Sequence, residues 1–267
     1  MLRYEFNGPT PAQVAFTSVA EGNLALHVGD RPAEVLQRRR SLEAGLGLDA
    51  GAVQFMNQTH SVVVHEVRST ASGPQDTVGG DTVGGDTVGG GTGGADAVAW
   101  GPDADAMVSP DGTSALAVLV ADCLPVVFAA TGDDGGLVSA VAHAGRQGLL
   151  GGILQNIVDA IVAAGGRDLH AWIGPAVCGA CYEVPAQMAS EADSVMPGIA
   201  VTSRWGTSSL DLPGAAGRLL SGLGVQVAAT AVCTLEDPDY FSYRRDQQHA
   251  GRLAGIVWPA STGAPGA

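Results

Sequence analysis

The chain has 267 residues, of which 46% are hydrophobic and 15% charged, and its formal net charge is −14. A chain this acidic repels nucleic acid and anionic lipid, which excludes a general polymer-binding function and leaves small substrates held by local arginines. The first ten residues lack the apolar stretch of a signal peptide, and no apolar run is long enough to span a bilayer. Four cysteines do not make a disulfide framework, so we expect a cytoplasmic protein.

The first predicted elements are strands. Ser61–Val67 is predicted as a strand, and a fully apolar strand follows at Leu116–Val120. Val126–Ala130 and Leu137–His143 flank the turn sequence TGDDGG, a pattern that predicts a β-hairpin.

A helix is predicted next, because apolar residues recur at helical spacing from Leu150 to Val162 and Gly165-Gly166 then ends the pattern. The remaining predicted elements are strands at His170–Ile173, Val225–Cys233 and Leu253–Trp258, with a helix near Pro213–Leu223. Strands outnumber helices and include a hairpin, so we expect an α+β fold with a mixed β-sheet core flanked by helices. The expected organisation is a single catalytic domain over residues 1–260.

One segment has low complexity. From Asp76 to Gly90 the sequence DTVGG occurs three times in tandem, a period too short for a solenoid repeat and without an apolar face. We therefore predict that residues 69–100 are a flexible surface insertion within the domain, and that residues 261–267 are a flexible tail.

Three residues near strand ends are candidates for chemistry. His60 precedes the first strand, and an odd separation along a strand places His65 on the opposite face. Cys123 lies in VADCLPV, where polar residues and a proline interrupt an apolar run, as happens where a chain bends at a site. His143 comes just before a glycine and a helix N-terminus, a common place for ligands. Taken alone, Cys123 also fits an ordinary buried cysteine, and His143 a strand-end histidine.

Two further motifs have weaker meanings. Arg244 and Arg245 in FSYRRD could bind phosphate through forked hydrogen bonds, although internal ion pairs in a solvated turn explain them equally well. Cys178 and Cys181 form a CxxC, but there is no second CxxC and no thioredoxin-like βαβ pattern. A metal or redox role for this pair is therefore a minor alternative.

The chain resembles one family through motifs that occur in the family's order. These are FTSVAEGNLALHVGD, NQTH, DAMVS, LAVLVADCLPVVF, AVAHAGRQGL, WIGPAVCGACYEV, LDL and CTLEDPDYFSYRRDQQHAGRLAGIVW. They are similar to those of the purine nucleoside phosphorylase family once labelled multicopper polyphenol oxidoreductase (laccase), also called peptidoglycan editing factor. The resemblance extends from Phe16 to Trp258 outside the repeats and implies a mixed α+β fold.

The resemblance implies a metal site. Family members hold a metal, usually taken as zinc, with the histidine of Q-x-H, the cysteine of ADC and the histidine of HAG, which are His60, Cys123 and His143 here. Three protein ligands leave a fourth position for water or substrate, as in catalytic zinc sites. The implied reactions are phosphorolysis of adenosine, inosine and methylthioadenosine, and deamination of adenosine.

Other residues receive roles from these reactions. Arg244 and Arg245 are expected to orient phosphate, and Asp122 and Glu183 are candidate proton carriers because of their neighbours. The family usually shows a tryptophan and then an arginine after HAG, whereas this chain has Arg146-Gln147. One position at a helix start turns a side chain by about 100°, so Arg146 is a candidate for the anion site in a shifted position.

Three alternative functions stay open. A multicopper oxidase needs a histidine-rich trinuclear cluster, and only four histidines remain beyond His60 and His143, so copper is less favoured than zinc. A cysteine hydrolase would use Cys123 as nucleophile and His143 as base. A role in editing peptidoglycan precursors is the third. The expected partners are a nucleoside and phosphate, without nucleic acid or membrane, and the sequence leaves the oligomeric state open.

Overall fold

The computed structural model describes residues 1–68 and 101–260, so the predicted insertion and the predicted tail lie outside the described residues. The strands are β1 (Leu2–Phe6), β2 (Ala12–Phe16), β3 (Val53–Gln54), β4 (Val64–Glu66), β5 (Ala106–Ser109), β6 (Ala115–Val120), β7 (Leu124–Thr131), β8 (Leu137–Ala144), β9 (Arg167–Ile173), β10 (Ala200–Thr202), β11 (Ser208–Leu210), β12 (Gln226–Ala229) and β13 (Leu253–Pro259). The helices are α1 (Pro32–Leu46), α2 (Arg146–Gly151), α3 (Ile153–Ala163), α4 (Ala186–Val195), α5 (Leu212–Gly222) and α6 (Tyr243–Asp246).

Two larger sheets and a small one organise these strands. The five-stranded sheet has the order β1-β2-β13-β6-β3, the six-stranded sheet has the order β12-β9-β7-β8-β5-β4, and β10 pairs with β11 alone. Both larger sheets contain parallel and antiparallel pairs. The expected α+β fold with a mixed sheet core is confirmed.

The fully apolar strands follow from burial on both faces. Along β7, Val127 and Ala129 pack in a cluster with Leu116 and Val118 of the five-stranded sheet, whereas Val126 and Phe128 pack with α3 and α5. Successive strand side chains point to opposite faces, so each face of the six-stranded sheet has its own core. Helix α1 covers the outer face of the five-stranded sheet, which gives four layers in the order helix, sheet, sheet, helices.

The predicted hairpin is confirmed, because β7 and β8 pair antiparallel over their full length. The predicted helix is two helices, because Gly152 between α2 and α3 has a φ of 98°, a left-handed conformation that a continuous helix does not contain. The predicted strand Val225–Cys233 is shorter, Gln226–Ala229, and Cys233 lies beyond it in an isolated bridge to Ala176. None of the described helices has the length and apolar character needed to cross a membrane.

The link from β6 to β7 carries the chain from one large sheet to the other. It consists of Ala121, Asp122 and Cys123, and Asp122 has a φ of 81°. A positive φ is costly for a residue with a side chain and persists where the surroundings hold it in place. The polar interruption in the sequence therefore marks a tight turn between sheets rather than a bend within one strand.

Candidate active site

His60, Cys123 and His143 converge in space. Their possible ligand atoms all lie within 4.8 Å of one another, and the two imidazole rings have centroids 4.8 Å apart and planes at 79°. A Cβ atom added at Gly145 would lie 3.0 Å from Cys123 Sγ and 3.5 Å from His143 Nε2, so a side chain at that position would press on the cluster. The three residues that were singled out from sequence thus form one group.

Strand pairing explains why two of them meet. Leu124 is opposite Ala144 in the β7–β8 pair, so Cys123 at the start of β7 comes beside His143 at the end of β8. His60 lies outside any strand, in a bend with a φ of 61°. His60 and His65 therefore do not lie on opposite faces of one strand, as the sequence predicted. His65 lies on β4, where it is exposed.

Asp105 supports the cluster through hydrogen bonds. Its carboxylate is fully buried and accepts a hydrogen bond from His143 Nδ1 at 2.8 Å. The same carboxylate accepts the backbone N–H groups of Thr59, His60 and Ser61 and the Ser61 hydroxyl. This bond to Nδ1 leaves His143 Nε2 to face Cys123, and the backbone bonds fix the bend that carries His60. Sequence reasoning missed Asp105, although its position directly before the apolar strand β5 was a signal.

The charges of the cluster are coupled. Burial alone would raise the pKa of the Cys123 thiol, but the adjacent His143 and His60 outweigh it and lower that pKa to about 6. Burial would lower the pKa of His143, and the Cys123 thiolate and Asp105 instead raise it to about 9. Burial likewise opposes ionisation of Asp105, but hydrogen bonds from His143 and Ser61 hold its pKa well below the usual range. The surroundings of Cys123 therefore favour its thiolate beside a protonated His143.

This donor set fits zinc. Two imidazoles and a thiolate are common zinc ligands, and a histidine ligand that donates its other nitrogen to a carboxylate is the usual arrangement around such ions. Only three ligand groups form this cluster in the described residues, which matches a catalytic site with an open position rather than a closed structural one.

A cavity of about 720 Å³ opens beside the cluster, a size typical of small-molecule sites. Its lining includes three arginines: Arg39, Arg244 and Arg252. Within the described ranges, none of the three has a carboxylate partner at ion-pair distance. The cavity thus places three guanidinium groups beside the cluster, and the charges of Cys123 and Asp122 act on Arg252 without forming an ion pair.

Each of these arginines packs over an aromatic ring that also lines the cavity. The guanidinium carbon lies 3.7 Å from the Phe55 ring centroid for Arg39, 4.2 Å from Tyr182 for Arg244, and 5.9 Å from Tyr243 for Arg252. Such packing restrains a guanidinium without neutralising its charge.

Burial and the charges of Arg252 and Arg39 lower the pKa of His27, another lining residue, so two of the arginines act on one point of the cavity. Sequence reasoning did not single out Arg39 or Arg252, because isolated arginines carry no spacing pattern.

Asp122 lines the cavity, but both of its carboxylate oxygens accept hydrogen bonds. Oδ1 accepts from the Thr234 hydroxyl and Oδ2 from the Arg244 backbone N–H, each at 2.7 Å. Asp122 therefore ties the turn that carries Cys123 to the segment that carries Arg244.

The other candidates from sequence lie away from the cavity lining. The Arg245 guanidinium donates to the carbonyls of Thr234, Asp237 and Tyr240 and pairs with Asp246. Glu183 accepts hydrogen bonds from the hydroxyls of Ser203 and Thr207. Arg146 is the first residue of α2 and is half-buried. Cys178 and Cys181 belong to a separate group with Cys233 and Glu236.

Known proteins have similar sequences and the same fold. The family described as multi-copper polyphenol oxidoreductase laccase matches residues 12–260. A Streptomyces griseus protein named purine nucleoside phosphorylase ORF3 is 41% identical over 92% of this chain and 89% of its own. A solved Neisseria meningitidis protein of the DUF152 family has a TM-score of 0.70 and 30% identity, covering 97% of this chain and 99% of that one. YlmD from Geobacillus stearothermophilus gives 0.74 and 25%, covering 96% and 93%.

Proposed function

We propose that this chain is a purine nucleoside phosphorylase with its active site in the cavity beside His60, Cys123 and His143. The chain belongs to the family described as multi-copper polyphenol oxidoreductase laccase, whose model matches residues 12–260. The names of similar proteins, such as the Streptomyces griseus purine nucleoside phosphorylase, support the reaction class. The observation that carries the proposal is the set of three ring-packed arginines, none in an ion pair with a carboxylate of the described residues, in the same cavity as the cluster.

The chemistry assigns a task to each part of the cavity. A phosphate oxygen forms a bond to C1′ of the ribose, and the C1′–N9 bond breaks with its electron pair leaving on the purine, which takes up a proton. Arg39, Arg244 and Arg252 hold the phosphate, since guanidinium groups match its oxygens in forked geometry. Tyr182 and Tyr243 offer aromatic rings against which a purine can pack.

His60, Cys123 and His143 are the proposed zinc ligands. A zinc ion held there would supply a Lewis acid. Asp105 orients His143 and the bend that carries His60, and Asp122 holds the turn that carries Cys123. We also propose adenosine, inosine and methylthioadenosine as substrates, with deamination of adenosine as a side reaction at the same site.

The test measures products with and without phosphate. Purified protein is incubated with adenosine or inosine, and free base, ribose 1-phosphate and ammonia are quantified. We expect base and ribose 1-phosphate in equal amounts only when phosphate is present, and ammonia from adenosine in either case. Base release that does not depend on phosphate would overturn the phosphorylase proposal, and absence of ammonia would remove the deaminase side reaction.

Arg244→Ala and Arg245→Ala are a matched pair for this test. Loss of a hydrogen bond to a charged group costs about 1.5–3 kcal/mol, so Arg244→Ala should raise the KM for phosphate roughly ten- to a hundredfold while zinc content is kept. Arg245→Ala should change this KM far less, because its guanidinium is bound to backbone carbonyls outside the cavity. Equal effects on the KM for phosphate would contradict the assignment of the anion site.

The low pKa of Cys123 beside a protonated His143 also favours a cysteine hydrolase, since this is the ion pair of a cysteine nucleophile. Alkylation separates the two functions. We expect iodoacetamide to leave Cys123 unmodified in zinc-loaded protein and to modify it after chelation, as mass spectrometry would show. Rapid alkylation of fully zinc-loaded protein, together with loss of its activity, would favour the hydrolase.

A further inference from the structure

A second cluster of cysteines lies in the loops that follow two parallel strands. β9 and β12 are parallel neighbours, so the segments after them leave the same edge of the six-stranded sheet. A bridge between Ala176 and Cys233 extends this pairing, and the Thr234 N–H donates to the Ala176 carbonyl at 3.1 Å. Cys178 and Cys181 follow β9, so the fold brings them beside Cys233, which follows β12.

The ligand atoms of Cys178, Cys181, Cys233 and Glu236 all lie within 4.8 Å of one another. Two sulfurs bound to one tetrahedral zinc are about 3.8 Å apart, so a shift of about 1 Å or less would complete such a site. Cys181 and Cys233 are buried, whereas Cys178 is half-buried and Glu236 exposed. The backbone N–H of Cys178 donates to Cys233 Sγ at 3.4 Å, so the loops that follow the two strands are in direct contact here.

We propose that these four residues form a second zinc site, with a structural role. Three thiolates and one carboxylate give a closed tetrahedral shell, in contrast to the three ligands at His60, Cys123 and His143. Thiolates select zinc over magnesium or calcium, which prefer oxygen ligands. Arg204 pairs with Glu236, so it orients the carboxylate and offsets part of the negative charge of the shell.

The proposed site would join the two loops that form hydrogen bonds to Asp122, the residue before Cys123. The Val177 N–H donates to the Asp122 carbonyl at 3.0 Å, and the Thr234 hydroxyl donates to the Asp122 carboxylate at 2.7 Å. Val177 directly precedes one ligand and Thr234 directly follows another. Tyr182, next to Cys181, lies under Arg244 in the cavity. A metal joining the two loops would therefore fix the cavity wall and the Asp122 turn together.

The proposed site shares no residue with His60, Cys123 and His143, so metal content tests it without an activity assay. The full chain is produced with zinc, purified under reductant, and analysed for zinc per folded chain. We expect two zinc ions in the wild type and one each in Cys123→Ala and Cys181→Ser. A wild type with one zinc ion that Cys123→Ala removes would overturn the second site while leaving the first intact. An unchanged zinc count in folded Cys181→Ser would overturn it as well.

Cobalt absorption keeps the test decisive if Cys181→Ser fails to fold. Co²⁺ replaces zinc in the wild type and in Cys123→Ala, and thiolate-to-cobalt charge transfer is recorded. Cys123→Ala should keep most of this absorption, because three of the four thiolates belong to the second site, and Cys178→Ser at the half-buried position should lower it. Loss of all the absorption in Cys123→Ala would overturn the proposal, as would a Cys178–Cys181 disulfide in freshly purified wild type.

Discussion

The two groups of candidate metal ligands differ in composition, in number and in surroundings. His60, Cys123 and His143 lie against a cavity lined by arginines and are backed by the buried carboxylate of Asp105. The cysteine group joins two loops, and its one carboxylate is already paired with an arginine. Three ligands beside a cavity suit a reaction, whereas four ligands between loops suit a brace. The number of candidate ligands and their neighbours thus assign different expected roles to the two groups.

The largest effect is expected at the cluster beside the cavity. Cys123→Ala removes a proposed direct ligand and should lower phosphorolysis by more than about a hundredfold, because loss of an outer partner alone costs roughly 10–100-fold. The fold should survive, since Cys123 is one half-buried residue at the margin of a large apolar cluster. Steady-state rates and zinc content of the folded variant check this. Full zinc occupancy at this site in Cys123→Ala would return Cys123 to the nucleophile assignment.

Asp105→Asn should have the next largest effect. The amide keeps the shape but places N–H groups where a buried carboxylate accepts five hydrogen bonds or more, so zinc affinity should fall about 10–100-fold. Competition with a zinc chelator measures the change. Asp103→Asn, two residues earlier at an exposed position bonded to Asn57, is the matched control. Equal chelator sensitivity in the two variants would contradict the role of Asp105.

A smaller effect on stability is expected from Arg245→Ala. The guanidinium holds the carbonyls of Thr234, Asp237 and Tyr240, and thus the turn that carries Cys233 and Glu236. Since the group is partly exposed, its loss should cost about 1 kcal/mol, a fall in Tm of roughly 2–4 °C. Calorimetry on zinc-loaded protein measures it. An unchanged Tm would show that this turn holds its shape without Arg245.

The smallest effect is expected from His65→Ala. His65 is exposed on β4 and lies outside both ligand groups, so its removal should leave zinc content and phosphorolysis unchanged within error. A loss of metal from this variant, measured beside the wild type, would show that the cluster includes a ligand that the described geometry does not place there.

The sequence predicted those parts of the fold whose pattern is local. The hairpin β7–β8 has apolar runs around a glycine-rich turn, and α3 has apolar residues at helical spacing, so both were found. Helix α1 was missed because it carries three consecutive arginines and buries only Val35, Leu42, Glu43 and Leu46. Its amphipathic pattern is weak, and packing on a distant sheet decides its place.

The site shows the same limit. Family motifs and strand ends singled out His60, Cys123 and His143, which do converge. The partners that give them an environment come from far along the chain: Asp105 is 45 residues from His60, and the Thr234 hydroxyl reaches across 112 residues to Asp122. Such contacts depend on which sheets face each other, which no local spacing encodes. Cys233 and Glu236 were not predicted as candidate ligands for the same reason.

The pairing around Asp105 also bears on how this chain would tolerate being cut. Asn57 bridges to Asp103, and the Val63 carbonyl accepts the N–H groups of Asp105 and Ala106, so the two flanks of residues 69–100 are joined by the sheet itself. A single backbone break between those flanks would leave His60 and its supporting carboxylate on different fragments that remain bound to each other. The protein is therefore a candidate for reconstitution from two separately expressed fragments divided within residues 69–100. Zinc binding would measure their association.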